Sequence, residues 1–236
     1  MTKLLISPKG IEEARAAYRG NAEIIDVKNP REGSLGANFP WIISQIRDEI
    51  PSEIPISAAI GDFPNLPGTA SLAALGALEA GASIIKVGLK GPKKAEEAVY
   101  LMRQVVKAVG ENSHPAEVVA CAYGDFERAG TIDPRDLPEI GQSAGVDYVM
   151  MDTAIKDGKP LTDFFSMDEL RDFVDEAHSL DLKVALAGSL GREQIFRLKN
   201  LDPDVVGVRG AVCEGNDRGN EISKDLVREL TDVLED

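Results

Sequence analysis

The sequence predicts a (β/α)8 barrel (TIM barrel), in which eight parallel strands close into a cylinder and helices surround it. Short β-rich runs alternate with longer helical patterns from one end of the chain to the other. Most of these runs are apolar throughout, as parallel strands covered on both faces must be. The length of 236 residues is close to the ~250 residues typical of such barrels. We therefore expect a single domain over residues 1–236.

Eight runs carry the strand signal. They lie at residues 4–7, 23–28, 56–61, 84–88, 118–122, 148–152, 183–187 and 205–208. The second and fourth runs each contain a lysine, and the sixth ends in an aspartate. In these three runs the charged residue lies within the run or at its carboxyl end.

Eight helical patterns follow the strands. They lie at residues 11–19, 39–49, 70–80, 93–109, 137–144, 167–179, 192–199 and 224–234. Pro92 comes just before the fourth pattern and Ser166 just before the sixth, as helix start signals do. Pro138 falls in the first turn of the fifth pattern, where proline is tolerated.

The main alternative to the barrel is a doubly wound open sheet, which usually binds its cofactor at a glycine-rich turn after the first strand. Here the first run leads into Ser7-Pro8-Lys9-Gly10. This segment is not a Gly-x-Gly-x-x-Gly turn. The lack of that cofactor-binding turn after the first run favours the barrel.

The charge, cysteine and histidine content restrict the partners. The formal net charge of −14 argues against a nucleic-acid or anionic-membrane partner. No apolar run reaches the ~18 residues of a membrane span, and the amino terminus has no signal-peptide architecture. Cys121 and Cys213 form no Cys-x-x-Cys motif, so the protein is expected in the reducing cytoplasm. His114 and His178 belong to no ligand cluster, so we expect neither a metal nor a cofactor.

Two lysines lie in short apolar runs, Glu23-Ile-Ile-Asp-Val-Lys28 and Ile84-Ile-Lys86-Val-Gly88. A lysine buried in this way must pair its charge or lose it, because desolvation and nearby cations lower its pKa. The neutral amine is the nucleophile of Schiff-base chemistry on carbonyls. A third run ends in Asp152, with Lys156 four residues later. Lysines that extend into solvent from edge strands are the alternative, but two comparable runs together with this pair favour a functional role.

In a barrel these polar residues meet at one end, because active sites lie at the carboxyl ends of the strands. Lys28 closes the second run, Lys86 lies late in the fourth, and Asp152 closes the sixth. Strand alternation places Asp26 on the same face as Lys28. Asp26 is therefore predicted to hold Lys28 or to deprotonate it.

The last two loops of the barrel carry a phosphate signal. Ala187-Gly-Ser-Leu-Gly191 follows the seventh run and opens into a helix, and Gly207-Val-Arg-Gly-Ala211 follows the eighth. Barrels often bind phosphate at these loops through backbone N–H groups and a helix amino terminus. Arg209 would add a planar cation suited to phosphate oxygens, and two ordinary tight turns are the alternative. The predicted phosphate-binding residues are Gly188, Ser189, Gly191, Arg209 and Gly210.

Lysines, aspartates and a phosphate cradle predict carbonyl chemistry on a small phosphorylated sugar or aldehyde. A lysine imine stabilises a carbanion next to a carbonyl without a metal, and a second lysine or aspartate then moves protons. The residues alone do not rank Lys28 over Lys86 as the nucleophile. A barrel that binds a sugar phosphate without turnover is a further alternative, but it would leave both buried lysines unexplained. Whether the chain forms a homo-oligomer is left open.

With these residues, the chain resembles the (5-formylfuran-3-yl)methyl phosphate synthases. This family, also called 4-(hydroxymethyl)-2-furancarboxaldehyde-phosphate synthases, acts in methanofuran biosynthesis. The resemblance covers nearly the whole chain and is sharpest at residues 4–8, 26–30, 33–36, 61–69, 86–88, 151–156 and 187–189. It implies a carbon–oxygen lyase acting on phosphates, which condenses two molecules of glyceraldehyde 3-phosphate into a furan with loss of phosphate and water.

The resemblance also implies roles for individual residues. The Schiff-base lysine would be Lys28 and the proton-transferring lysine Lys86, with Asp152 and Lys156 in support. Because this reaction uses two phosphorylated aldehydes, a second cationic phosphate site is expected, and Lys156 is its candidate. A metal-free lysine aldolase acting on another phosphorylated sugar is the close alternative, because only the product separates the two.

Overall fold

The computed structural model describes residues 2–235 and contains a closed barrel of eight parallel strands in chain order. The first strand pairs with both the second and the eighth, which closes the cylinder. The predicted TIM barrel is therefore confirmed. The strands are β1 (Lys3–Ile6), β2 (Ile24–Val27), β3 (Ile56–Asp62), β4 (Ile84–Gly88), β5 (Glu117–Tyr123), β6 (Tyr148–Asp152), β7 (Lys183–Leu186) and β8 (Val205–Val208).

Nine α-helices alternate with the strands in the part of the chain that the structure describes. They are α1 (Ile11–Arg19), α2 (Pro40–Glu49), α3 (Pro67–Glu79), α4 (Ala95–Gly110), α5 (Phe126–Ala129), α6 (Leu137–Ala144), α7 (Met167–Ser179), α8 (Arg192–Leu198) and α9 (Lys224–Glu235). Eight of them correspond to the eight predicted patterns. The ninth, α5, has only four residues, too few to show a helical period.

The helix starts follow the expected local chemistry in most places. Ser166 caps α7 in a reciprocal capping box with Glu169, which satisfies backbone donors at the helix start. Pro138 lies in the first turn of α6, as predicted. α3 begins at Pro67, three residues earlier than expected, because proline is well suited to the first helical position. No helix within residues 2–235 has both the length and the apolar character needed to cross a membrane.

Two apolar clusters stabilise the barrel, one between the strands and the helices and one inside the cylinder. Side chains alternate between these two faces along each strand. The inner cluster contains strand residues Leu5, Ile24, Ala59, Ile84, Val119, Cys121, Tyr148, Met150, Ala185 and Val205, together with Ala187 just after β7. It also contains Leu35, which comes from the segment between β2 and α2 and is fully buried. That segment therefore covers part of the barrel mouth.

Candidate active site

A cavity of about 810 Å³ opens at the carboxyl end of the barrel. It is bordered by the ends of β1, β2, β4, β6, β7 and β8 and by the segments that follow the last three strands. Nine of the predicted site residues line it: Lys28, Lys86, Asp152, Lys156, Gly188, Ser189, Gly191, Arg209 and Gly210. The tenth, Asp26, is fully buried beside the cavity. The fold therefore brings the predicted residues together in one place.

Lys28 directly follows β2 and is buried among the charged groups of the barrel mouth. Burial lowers the pKa of Lys28 to about 8, while Asp152 and Asp26 oppose this shift and Lys86 and Lys156 add to it. Its Nζ makes no hydrogen bond and no ion pair within residues 2–235 and borders the cavity. Lys28 thus offers an unpaired amine, part of which is neutral near pH 7.

Lys86 is the inward-facing lysine of β4, and its environment differs. Its Nζ lies 2.7 Å from Oδ2 of Asp26, and both side chains are buried. Asp26 Oδ2 also accepts a hydrogen bond from Ser7 Oγ at 2.8 Å. The contact between Lys86 Nζ and Asp26 Oδ2 is an ion pair without hydrogen-bond geometry. The other carboxylate oxygen, Asp26 Oδ1, has no hydrogen-bond partner among the described residues, and neither has Lys86 Nζ. The side chain of Lys86 also lines the cavity, so it borders any molecule bound there.

Asp26 contacts Lys86 rather than Lys28, which differs from the expectation that it holds Lys28. The reason lies in β3, which separates β2 from β4. Asp26 is in register with Ser57, and Lys86 is in register with Ala59. Small inward side chains on β3 leave room for Lys86 to reach across to Asp26. Asp26 still acts on Lys28 through its charge.

Asp152 and Lys156 form the second ion pair of the site. Lys156 Nζ contacts Asp152 Oδ1 and lies 3.2 Å from Thr153 Oγ1. Burial would raise the pKa of Asp152, but the charges of Lys156 and Lys28 and two hydrogen bonds outweigh it and lower the pKa to about 2. Asp152 is therefore a carboxylate throughout the physiological range.

The sequence reading missed Asp125, which fixes the segment that carries Lys156. Asp125 lies just after β5 and is 2% exposed. Its two carboxylate oxygens accept the backbone N–H groups of Ala154 at 2.6 Å and Ile155 at 2.9 Å. An aspartate directly after a predicted strand was the available signal.

The segment between β2 and α2 is fastened across the opposite side of the mouth. Asp62 accepts hydrogen bonds from the hydroxyl of Tyr123 and from the backbone N–H of Ser34, the latter at 3.0 Å. Ser34 Oγ reaches Asp152 Oδ2 at 3.3 Å and the Thr153 carbonyl at 2.9 Å. Gly33 is required here: its φ is +134°, and a Cβ would lie 2.2 Å from Asp62 Oδ2. Asp62 thus fastens this segment to the barrel.

The contacts of Arg209 do not support its predicted role in phosphate binding. Its guanidinium is buried, and donors on all three of its nitrogens are already used. Two bonds go to the Glu13 carboxylate at 2.7 and 3.1 Å. The others go to the carbonyls of Ser7 at 2.7 Å, Arg218 at 3.0 Å and Asn220 at 3.3 Å. These five bonds match the five donors of a guanidinium, so none is free for a ligand.

The backbone of the two glycine loops fits an anion better than Arg209 does. Within residues 2–235, the N–H groups of 188–190, 210 and 211 donate to no other group. Gly191 differs, because its N–H donates to Gln194 Oε1 at 3.0 Å. Ser189, which lines the cavity, has a φ of +50°, a conformation that is uncommon outside glycine and often found at functional sites. Residues 188–190, 210 and 211 therefore offer free donors at the cavity.

A metal centre finds no support in the part of the chain that the structure describes. Residues 2–235 contain no group of three or more His, Cys, Asp or Glu side chains arranged to hold an ion. The polar groups of the cavity are instead amines, carboxylates and backbone N–H donors.

Comparison with families places these features in context. A family model described as 4-HFC-P synthase matches residues 4–231. The (5-formylfuran-3-yl)methyl phosphate synthase of Methanocaldococcus jannaschii is 54% identical over 231 residues, which is 98% of each chain. The enzyme of the same name from Methanothermobacter thermautotrophicus is 51% identical over 233 residues, again 98% of each chain.

Solved structures resemble the chain in fold. The 3-hexulose-6-phosphate synthase from Salmonella typhimurium superposes with a TM-score of 0.69 at 18% identity, covering 99% of each chain. The phosphoribosyl anthranilate isomerase from Thermus thermophilus gives a TM-score of 0.65 at 16% identity, covering 99% of this chain and 98% of that one. At these identities the likeness concerns the barrel alone.

Proposed function

Because the chain belongs to the 4-HFC-P synthase family, we propose that it is a (5-formylfuran-3-yl)methyl phosphate synthase. The reaction condenses two molecules of glyceraldehyde 3-phosphate into 4-(hydroxymethyl)-2-furancarboxaldehyde phosphate, releases inorganic phosphate and water, and serves methanofuran biosynthesis. In class it is a carbon–oxygen lyase acting on phosphates. The relatives named for this activity match nearly the full chain at about half of its positions.

The observation that carries the mechanism is the unpaired, buried amine of Lys28. An amine with a pKa of about 8 is partly neutral near pH 7, and only the neutral form attacks a carbonyl carbon. Attack gives a carbinolamine, and loss of water gives an imine. The imine withdraws electrons from the adjacent carbon, so a proton can leave that carbon and a new carbon–carbon bond can form.

Lys86 is the proton carrier in this proposal. It borders the same cavity as Lys28, and its N–H groups have no hydrogen-bond partner among the described residues. Its ion pair with Asp26 keeps it in place while leaving those groups available. Proton transfer by a positioned side chain is the step that imine formation and elimination both require.

Asp152 and Lys156 complete the proposed site. Asp152 holds Lys156 and attracts Lys28 through its negative charge, so it orients both amines. The free N–H groups of the two glycine loops support a phosphate position at the part of the cavity that follows β7 and β8. A phosphate there would present the carbonyl end of a three-carbon substrate to the lysines.

One assay with glyceraldehyde 3-phosphate as the sole substrate tests the proposed reaction. Mass spectrometry of the product should find the furan aldehyde phosphate together with released inorganic phosphate. A six-carbon sugar bisphosphate would instead indicate a simple lysine aldolase, and unchanged substrate would indicate a barrel that only binds it.

The covalent step has its own test. Borohydride reduction during turnover should add the substrate mass to the peptide that carries Lys28. An adduct on Lys86 would exchange the two roles, and the absence of any adduct would overturn the imine mechanism.

A further inference from the structure

The segment between β8 and α9 carries an arginine that neither the sequence reading nor the mechanism above uses. Arg218 is partly buried and lines the cavity. Its guanidinium makes no hydrogen bond or ion pair within residues 2–235, although its backbone carbonyl accepts a bond from Arg209. A partly desolvated cation without a partner is unfavourable unless a ligand supplies the opposite charge.

Apart from Lys28, the other described cations at the cavity wall have partners. Arg209 uses its five donors on Glu13 and on three backbone carbonyls, as described above. Arg192 lies 3.5 Å from Glu229 and is two-thirds exposed, with 66% of its side chain accessible. Lys86 and Lys156 are paired with carboxylates. Among the described residues that line the cavity, Arg218 is the guanidinium without an ion pair or a hydrogen bond.

The Cβ of Arg218 lies next to the free backbone donors of the loop after β8. A Cβ built on Gly210 would lie 3.7 Å from Cβ of Arg218, and the N–H groups of Gly210 and Ala211 are both unpaired within residues 2–235. Burial lowers the pKa of Arg218, while the negative charge of Asp152 opposes this. The guanidinium therefore lies close enough to feel a carboxylate on the lysine side of the cavity.

We propose that Arg218 binds the phosphate group of the substrate, together with the free N–H groups of residues 188–190, 210 and 211. A planar guanidinium can donate two parallel hydrogen bonds to phosphate oxygens and adds a positive charge that backbone N–H groups lack. That this phosphate belongs to glyceraldehyde 3-phosphate rests on the proposed function. The assignment of Arg218 as its ligand rests on the cavity.

Arg209 is then a positioning residue for Arg218. Its Nε donates to the Arg218 carbonyl at 3.0 Å and its Nη2 to the Asn220 carbonyl at 3.3 Å. Glu13, from α1, holds the other edge of the guanidinium. Arg209 thereby ties the segment that carries Arg218 to the first βα unit across the closure of the barrel.

The first test uses inorganic phosphate as the probe and needs no turnover. Calorimetric titration of the full chain should give a dissociation constant for phosphate that rises by about tenfold or more in Arg218→Ala, as expected for loss of a charge-assisted contact. Arg218→Lys should recover part of the affinity. The control is Arg192→Ala, which removes a second arginine from the same cavity wall and should leave phosphate binding unchanged.

The second test separates binding from chemistry. With glyceraldehyde 3-phosphate, Arg218→Ala should raise KM about tenfold or more with kcat within a few fold, because phosphate contacts act in ground and transition states alike. With unphosphorylated glyceraldehyde, which has no phosphate to eliminate, borohydride trapping of the imine should be equal in the variant and the parent. Arg218→Gln repeats both measurements if the alanine variant does not fold.

Unchanged phosphate binding in folded Arg218 variants would overturn the assignment while leaving the proposed function intact. A loss of phosphate binding in Arg192→Ala instead would also overturn it. If the protein binds phosphate through Arg218 but forms no furan product, the assignment stands and the proposed function fails.

Discussion

The end of β2 and the middle of β4 each place a lysine inside the barrel, but only the lysine of β4 has a carboxylate partner. Lys86 lies 2.7 Å from Asp26, whereas Lys28 has neither an ion pair nor a hydrogen bond within residues 2–235. Burial lowers the pKa of Lys28 to about 8. Two similar positions in similar runs thus differ in chemistry because of one contact.

This difference explains why the structure supports a division of roles that the residues alone left open. An unpaired amine can become neutral at little cost and attack a carbonyl. A paired ammonium stays in place and can give up or regain a proton without leaving its site. The predictions below test this contrast, beginning with the largest expected effect.

Replacement of Lys28 by arginine should abolish turnover. Lys28→Arg keeps a positive charge but cannot form an imine, so kcat should fall on the order of 10⁴-fold or more, as when other covalent nucleophiles are removed. Circular dichroism should show an intact fold. The matched control is Lys107→Arg on the exposed face of α4, with an expected kcat equal to the parent. Substantial turnover by Lys28→Arg would exclude Lys28 as the nucleophile.

The same contrast predicts that replacing the two lysines changes the free energy of unfolding by very different amounts. Lys86→Met leaves Asp26 buried without its cation, so the free energy of unfolding should fall by about 3–5 kcal/mol. Lys28→Met removes an amine that has no partner, so its effect should lie within about 1 kcal/mol or be stabilising. Urea unfolding of both variants at pH 7, followed by circular dichroism, measures the difference. Equal losses in the two variants would show that Lys28 is paired in solution.

Much of this arrangement could be predicted from the sequence. Eight apolar runs and their alternation gave the barrel, and the same alternation placed Lys28, Lys86 and Asp152 at its mouth. The sequence also singled out Asp152 and Lys156 together, and the two form an ion pair. These features depend on local periodicity, which is visible in the amino-acid sequence.

The partners of the polar groups could not be predicted, because they depend on contacts between distant segments. Lys86 reaches Asp26 only because β3 presents Ser57 and Ala59 between them. Arg209 and Arg218 look alike in sequence, each beside a glycine. Which one is free is decided by Glu13, which approaches Arg209 from the other end of the chain.

The pH dependence of activity should report the unpaired lysine. The neutral amine of Lys28 is the active form, so kcat/KM should rise with pH and level off above a pKa of about 8. Lys156 lowers the pKa of Lys28. Loss of Lys156 also leaves the negative charge of Asp152 without its ion pair, and that charge raises the pKa of Lys28. Lys156→Met should therefore move the rising limb to higher pH. Lys107→Met, far from the cavity, should leave the limb in place, and a downward shift in Lys156→Met would contradict the assignment.

The smallest expected effect concerns only the ion pair between Lys86 and Asp26. Ser7 donates a 2.8 Å hydrogen bond to the Asp26 oxygen that meets Lys86, so Ser7→Ala should weaken the pair. We expect a loss of about 1–2 kcal/mol in the free energy of unfolding and a fall in kcat of a few fold. The limb near pH 8 should not move, because Ser7 makes no hydrogen bond to Lys28 within residues 2–235 and its replacement changes no charge. Ser57→Ala is the control, because the hydroxyl of this neighbouring interior serine makes no hydrogen bond within residues 2–235. Equal effects of the two alanine variants would show that the Ser7 contact does not support Lys86.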